Sequence, residues 1–119
     1  MAYQLDLEKG FLELNLSYKN EDEFIEEHDE IFDKIQMLNT IHFTKFEIKI
    51  DGVDDAIKNV EDILFLLLVN ILSEIEIVSK NKFPVTVFWY YKNDKELETG
   101  NEMNDVLDKH MKFEFIKIN

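Results

Sequence analysis

Pro84-Val-Thr-Val-Phe-Trp-Tyr-Tyr91 is the stretch of sequence that decides the fold of this chain. It is rich in β-branched and aromatic residues and contains no charge, a composition typical of strands on a packed, pleated surface. Because both of its alternating faces are mostly apolar, the pattern predicts an interior strand of a covered sheet rather than a half-solvated edge strand. Pro84 stands at the first position, where its missing N–H removes no hydrogen bond from the middle of the strand.

The composition predicts one domain, spanning residues 1–119, with a sizeable core. Hydrophobic residues make up 45% of the chain, and ten of its residues are Phe. The sequence has no apolar run long enough for a membrane span, no basic signal-peptide start, and no Cys for disulfides or thiolate metal sites. These features together predict a cytoplasmic protein.

The charge balance argues against two classes of partner. The chain has 26 acidic and 13 basic residues, which gives a formal net charge of −13, and every basic residue is Lys. Nucleic-acid binding needs Lys and Arg to neutralise phosphates, and binding to anionic membrane surfaces needs basic clusters as well. The sequence therefore predicts neither a nucleic-acid partner nor a membrane partner.

The first part of the chain predicts a β-hairpin followed by an amphipathic helix. Polar and apolar residues alternate in 3–7 and in 11–16, and Gly10 lies between these segments, where a turn needs a positive φ angle. A capping box with Asn20 as the N-cap then predicts a helix that ends near 38–39.

The rest of the chain alternates strands and helices. The predicted elements are a strand over 43–50, a helix over 56–79, the strand over 84–91, a helix that begins at 92–94, and a closing strand over 111–118. The helix over 56–79 is apolar nearly all round, so it is either central or has a second apolar surface to cover. Taken alone, 63–69 could also be a buried strand. The third helix has a weak apolar stripe of Leu97, Met103, Val106 and Leu107, which Gly100 interrupts.

The predicted order is β-β-α-β-α-β-α-β, which is the order of a single α/β (α+β) domain. Short β-α-β connections require crossovers, so part of the sheet must be parallel. We therefore expect a mixed four- to five-stranded sheet packed by two long helices and one short helix.

No set of residues in the sequence predicts catalysis or metal binding. His28, His42 and His110 have no partners at metal-ligand spacing, and His28 lies on the apolar stripe of the first helix as a core-edge histidine. The many carboxylates lie on predicted wet faces or caps, and the sequence has no Gly-rich phosphate loop and no nucleophile elbow. The sequence thus predicts a protein that is not an enzyme and that binds no cofactor or metal.

The aromatic end of the strand over 84–91 is the most unusual local feature of the sequence. Trp89, Tyr90 and Tyr91 follow one another there. Packing in the core and at its rim would explain them, but Trp and Tyr also dominate the hot spots of protein interfaces. We therefore take these three residues as a candidate partner surface.

Several segments of the chain are similar to one known family. Residues 87–91, Val-Phe-Trp-Tyr-Tyr, match a Val-Asn-Trp-Tyr-Tyr-like strand, and 7–14 and 17–24 match a hairpin and a Ser-Tyr helix start. Four positions match an acidic helix that follows the strand: Glu98, Gly100, Glu102 and Met103. In these segments the chain resembles the SiaC-type regulatory phosphoprotein family.

The resemblance implies a fold similar to STAS domains, which are anti-sigma-factor antagonists, and a role in partner switching. It implies a threonine at the start of the second helix that a kinase phosphorylates and a phosphatase resets. It also implies that the unphosphorylated form binds and activates a diguanylate cyclase, in cyclic-di-GMP signalling and biofilm formation. Phosphate at a helix N-terminus meets free backbone N–H groups, which suits such a switch.

The chain departs from the family at the phospho-acceptor itself. Val53, Asp54 and Asp55 occupy the acceptor run in one alignment, and the run around Val60 occupies it in a shifted one. Neither run contains Ser or Thr. The acids could hold the chain in a state that resembles one side of the switch, the protein could be an unregulated scaffold, or these positions could simply have drifted.

Two functions are compatible with the sequence. The first is a non-enzymatic regulatory protein-binding module, for which the resemblance implies a diguanylate cyclase and a kinase/phosphatase pair as partners. The alternative is an acidic neutralising protein, such as an immunity-type protein or a nucleic-acid mimic, that binds a basic partner. The net charge of −13 is the observation that motivates this alternative.

Overall fold

The computed structural model describes residues 3–16, 21–52, 63–107 and 110–118. Within these ranges, strands and helices alternate after an initial pair of strands. The elements are β1 (Tyr3–Asp6), β2 (Phe11–Asn15), α1 (Glu21–Ile35), a 3₁₀ helix (Gln36–Thr40), β3 (Phe46–Asp51), α2 (Ile63–Ser79), β4 (Val85–Tyr91), α3 (Asp94–Val106) and β5 (Lys112–Lys117).

The five strands form one mixed sheet in the order β1-β2-β3-β4-β5. β1 pairs with β2 in the antiparallel direction, and the remaining three pairs are parallel. β4 therefore lies in the interior of the sheet, between β3 and β5, as its composition predicts. The predicted α/β class, element order and mixed sheet are confirmed.

One face of the sheet carries the core of the domain. Its side chains are at most 2% exposed: Leu12, Leu14, Phe46, Ile48, Ile50, Val85, Val87 and Trp89. Each crossover from β2 through to β5 moves one strand further in the same direction. Right-handed crossovers of this kind place α1, α2 and α3 on the same face, where they bury these side chains.

The opposite face of the sheet is only partly buried. One row across it contains Glu13, Lys49, Phe88 and Glu114. Lys49 Nζ lies 3.3 Å from Glu13 Oε2, so the charged members of the row can pair beside the aromatic ring. The prediction of a covered sheet is therefore wrong for this face. Phe88 and Tyr90 make it look apolar within β4, whereas the neighbouring strands supply charges.

The β1–β2 turn has the backbone that its glycine predicts. Gly10 has a φ of 72°, and its amide donates to the carbonyl of Asp6 at 3.0 Å. The Asp6 carboxylate accepts from the amides of Glu8 and Lys9 at 3.0 Å each. A Cβ atom at Gly10 would lie 2.7 Å from the carbonyl oxygen of Lys45, so both φ and close packing require glycine here.

The first helix buries the apolar stripe that its sequence predicts. Phe24, Ile31 and Ile35 are fully buried. The α-helical part ends at Ile35, and the chain continues as the 3₁₀ helix, which buries Leu38. The predicted end near 38–39 therefore falls in this tighter turn rather than in the α-helix.

α2 lies in the middle of the helical layer and contacts both α1 and α3. Residues 63–69 are helical, so the alternative of a buried strand is excluded. The predicted start of this helix at residue 56 lies outside the residues that the structure describes. None of the described helices is long and apolar enough to cross a membrane.

Candidate functional site

A groove of about 710 Å³ lies between α1 and α2. Four of its lining residues come from α1 and three from α2: His28, Asp29, Phe32, Asp33, Asn70, Ser73 and Glu74. The lining combines an aromatic ring and an imidazole with three carboxylates. A groove with this mixed apolar and charged lining is a candidate binding site.

His28 forms part of the groove wall. Its side chain is 12% exposed, its Nδ1 lies 3.2 Å from Asp29 Oδ1, and its ring stacks on Phe32 with centroids 5.8 Å apart. The predicted position at the edge of the core is confirmed. His28 Nε2 is buried and has no hydrogen-bond partner among the described residues.

A stripe of α2 continues the groove along the protein surface. Its members recur at alternating steps of three and four residues: Ile63, Leu66, Asn70, Ser73 and Ile77. Leu66 is 52% exposed and Ile77 is 68% exposed, which is unusual for large apolar side chains that share one helix face. Alternating steps of three and four are typical of a helix that packs lengthwise against another helix. The groove and this stripe together are called the α1–α2 surface below.

Carboxylates border this surface on the α1 side. Four exposed acids recur along α1 at steps of four, three and four residues: Asp22, Glu26, Asp29 and Asp33. On α2, Glu74 Oε1 accepts a hydrogen bond from Gln36 Nε2 at 2.7 Å. Lys34, the basic residue of α1, reaches instead toward Tyr3 on β1. The α1–α2 surface therefore has exposed apolar side chains toward both ends of the α2 stripe, polar side chains between them, and carboxylates along α1.

The predicted partner surface does not form from its three aromatic residues. Trp89 is 0% exposed, and its Nε1 donates to the carbonyl of Glu96 at 3.0 Å. Tyr90 lies on the partly buried sheet face, where Lys49 Nζ is 4.8 Å from its ring centroid. Tyr91 packs against the edge of the core. Trp89 is thus a core residue that offers no surface, and a binding role for Tyr90 and Tyr91 stays a prediction.

The start of α3 holds Trp89 in place. Asn93 is the N-cap, and its Oδ1 accepts from the amide of Glu96 at 3.0 Å. The buried Glu96 carboxylate accepts in return from the amide of Lys92 at 2.9 Å. These two hydrogen bonds resemble a capping box, except that Glu96 accepts from the residue before the N-cap, and they hold the first turn whose Glu96 carbonyl receives the indole N–H.

α3 runs without a break through Gly100. A Cβ atom at this position would lie 2.7 Å from Trp89 Nε1 and 2.8 Å from Phe115 Cε1. The missing side chain lets the helix approach β4 and β5 closely. Gly100 therefore has a packing role rather than a helix-ending role.

No family model, curated protein or solved structure matches the chain. The resemblance to the SiaC-type family therefore stays a prediction. Its acceptor residues, Val53, Asp54, Asp55 and Val60, lie outside the residues that the structure describes.

The sequence predicted that α2 is either central or has a second apolar surface, but it did not show which of the apolar side chains stay exposed. The usable signal was the helix that is apolar nearly all round. Which side stays exposed depends on where α1 and α3 pack, and the sequence alone does not specify that packing. In the described part of the chain, no group of three or more His, Asp or Glu side chains is arranged to hold a metal ion.

A separate polar cluster ties β1 to α1. The Tyr3 hydroxyl donates to the Glu30 carboxylate, and Lys34 Nζ lies 3.0 Å from the Tyr3 oxygen and 3.1 Å from Glu30 Oε1. Burial raises the pKa of Tyr3, and the hydrogen bond to Glu30 raises it further. The Tyr3 hydroxyl, followed by Lys34, lowers the pKa of Glu30, and the same hydroxyl raises the pKa of Lys34.

Tyr3→Phe is expected to lower the free energy of unfolding by about 1 kcal/mol near neutral pH, because it removes the hydroxyl that joins Glu30 and Lys34. The raised pKa of Tyr3 gives a contribution that is present below about pH 10 and is lost as the pH rises further. The lowered pKa of Glu30 gives a second contribution to stability, which is present above about pH 4.3 and is lost as the pH falls.

Urea denaturation of both proteins over this pH range checks the prediction. The difference between wild type and variant should be largest on the neutral plateau and should shrink at both ends. Tyr90→Phe, which removes a hydroxyl from the other sheet face, is the control and should show no such profile. A Tyr3→Phe difference that stays constant across the range would contradict the assigned coupling.

Proposed function

We propose that this chain is a non-enzymatic regulatory protein that acts by binding a partner protein through the α1–α2 surface. The observation that carries the proposal is the stripe of α2, which keeps Leu66 and Ile77 exposed at the spacing of a helix-packing seam. Burying a large aliphatic side chain stabilises a complex by about 1.5–3 kcal/mol. Covering both therefore supplies binding energy that the isolated chain leaves unused.

The resemblance gives the proposal a more specific form. It favours a cytoplasmic STAS-like partner-switch protein whose partner is a diguanylate cyclase and whose binding a kinase/phosphatase pair controls. The supporting features are the element order and the segments that resemble the family. In this form, the purified chain should raise the rate at which a purified cyclase from the same cells forms cyclic-di-GMP. An unchanged rate would remove the cyclase from the proposal and leave the binding surface standing.

The alternative function is an acidic neutralising protein that inhibits a basic partner. The line of exposed carboxylates on α1 and the net charge of −13 favour it. The two functions differ in the consequence of binding. A regulator leaves its partner active in one of its states, whereas a neutralising protein abolishes the partner's activity while it is bound.

A double substitution, Leu66→Glu with Ile77→Glu, tests the binding surface. Each change places a charge on an exposed apolar position of α2, so folding should be retained while partner binding falls by more than about tenfold. The measurement is quantitative recovery of partner proteins from native cells with the tagged full-length chain. Far-UV circular dichroism of the purified variant verifies its folding.

Val106→Glu is the matched control, because Val106 is 58% exposed but lies on α3, away from the α1–α2 surface. Recovery of a partner by wild type and by this control, but not by the double variant, is the expected result. Equal recovery by all three proteins would place the binding site elsewhere. Recovery of no partner by the wild type would count against a binding function.

A further inference from the structure

We infer that the α1–α2 surface accepts a cationic amphipathic helix of the partner protein, lying along α2. This inference rests on the proposed function, because it names the chemistry of the partner for the same surface. It combines two independent observations: the spacing of the exposed apolar residues on α2 and the spacing of the carboxylates on α1.

The first observation determines the shape of the partner. From Ile63 to Ile77 the stripe follows the alternating steps of a coiled-coil seam over about 21 Å, at 1.5 Å per residue. A partner helix presents apolar side chains at the same alternation, so its residues can pack between Leu66 and Ile77. Asn70, a polar residue inside the seam, favours one register of the partner.

The second observation determines the charge of the partner. The exposed acids of α1 repeat with the same alternation as the seam, and two of them, Asp29 and Asp33, line the groove together with seam residues of α2. In helix pairs, residues that flank the seam choose the partner through their charges. A helix seated on α2 would hold its flanking residues beside Asp29 and Asp33, where Lys or Arg is favoured and Asp or Glu is repelled.

The same charges argue against a second copy of this chain as the occupant. Pairing two α1–α2 surfaces would bring two acidic rows and two chains of charge −13 together.

The test uses the full-length chain and three synthetic helical peptides of about three heptads that share one Leu/Ile seam. Their flanking positions carry Lys, Gln or Glu. Fluorescence anisotropy gives the affinity of each peptide at about 50 mM and at about 300 mM salt. Two protein variants are compared: Asp29→Asn with Asp33→Asn, and Glu8→Gln with Glu114→Gln. Both change the net charge equally, but only the first removes acids from the α1–α2 surface.

The Lys peptide should bind at least about tenfold more tightly than the Glu peptide, and high salt should weaken it. The Asp29→Asn with Asp33→Asn variant should bind the Lys peptide at least about threefold more weakly than the wild type does. The Glu8→Gln with Glu114→Gln variant should bind it with the affinity of the wild type. Leu66→Glu with Ile77→Glu should abolish binding of the Lys peptide.

Four results would overturn the inference. If both pairs of charge substitutions weaken binding of the Lys peptide equally, the peptide is attracted only by the overall negative charge of the protein. Equal affinity for the Lys and Glu peptides would remove the cationic partner. A stable dimer of the chain that Leu66→Glu with Ile77→Glu dissociates would assign the seam to a second copy. If the peptides fail while a native partner is still lost from that double variant, the inference fails and the proposed function stands.

Discussion

Trp89→Ala is expected to lower the free energy of unfolding by about 3–5 kcal/mol. The indole is fully buried, and its N–H bonds to the carbonyl of Glu96 at the start of α3. Truncation therefore leaves a cavity beneath the helix and removes the hydrogen bond that ties α3 to β4. Small domains have a total stability of about 5–15 kcal/mol, so this one change removes a large fraction of it.

Urea denaturation followed by circular dichroism measures this loss, because Trp89 is the single Trp of the chain and the variant has no indole fluorescence. Tyr90→Ala is the matched control, since Tyr90 is the next residue along the strand but lies on the partly buried sheet face. Its loss should be clearly smaller. A larger loss for Tyr90→Ala than for Trp89→Ala would contradict the assignment of Trp89 to the core.

Gly100→Ala is expected to lower the free energy of unfolding by about 1–3 kcal/mol, although Ala is the better helix former. Its Cβ would lie under 3 Å from ring atoms of Trp89 and Phe115. Trp89 is enclosed on all sides, so the helix or the rings must move to admit the methyl group. The strain therefore exceeds the gain in helix propensity of about 1 kcal/mol.

Asn101→Ala separates these two effects, because Asn101 is the next residue of the same helix and is exposed. It should be neutral or slightly stabilising through helix propensity alone. The measurement for both variants is again the urea midpoint at constant slope. A Gly100→Ala variant that gains stability as Asn101→Ala does would show that α3 does not approach the sheet so closely.

These two residues explain why the family resemblance gives little information about a binding site. Trp89 and Gly100 lie in the segments that resemble the SiaC-type family, and they pack directly against each other. Both are accounted for by the junction of α3 with the sheet. Similarity at these positions is therefore no evidence for a shared partner.

The fold was largely predictable because its signals are local. Gly10 has the positive φ that its turn needs, and the composition of Val85–Tyr91 identified an interior strand. The uncovered sheet face was not predictable from β4, because Phe88 is apolar while its neighbours Lys49 and Glu114 come from distant parts of the chain. Which residues lie beside each other across the sheet follows only from the strand order.

The α1–α2 surface was less predictable than the fold. Leu66 and Leu68 look alike in the sequence of α2, but Leu66 is half-exposed and Leu68 is fully buried. The difference arises from the helices on either side of α2, so no local pattern reports it. The acids of α1 were recognised as a wet face, yet their alignment beside an apolar seam requires both helices in place.

Site-specific photo-crosslinking in native cells shows whether a partner protein binds through the α1–α2 surface, and it needs no knowledge of that partner. A photoreactive amino acid is introduced in turn at Leu66, Tyr90 and Val106, which lie on α2, the partly buried sheet face and α3. We expect a discrete crosslinked complex from Leu66 and none from the other two positions. A complex that forms from Tyr90 and not from Leu66 would contradict binding through the α1–α2 surface.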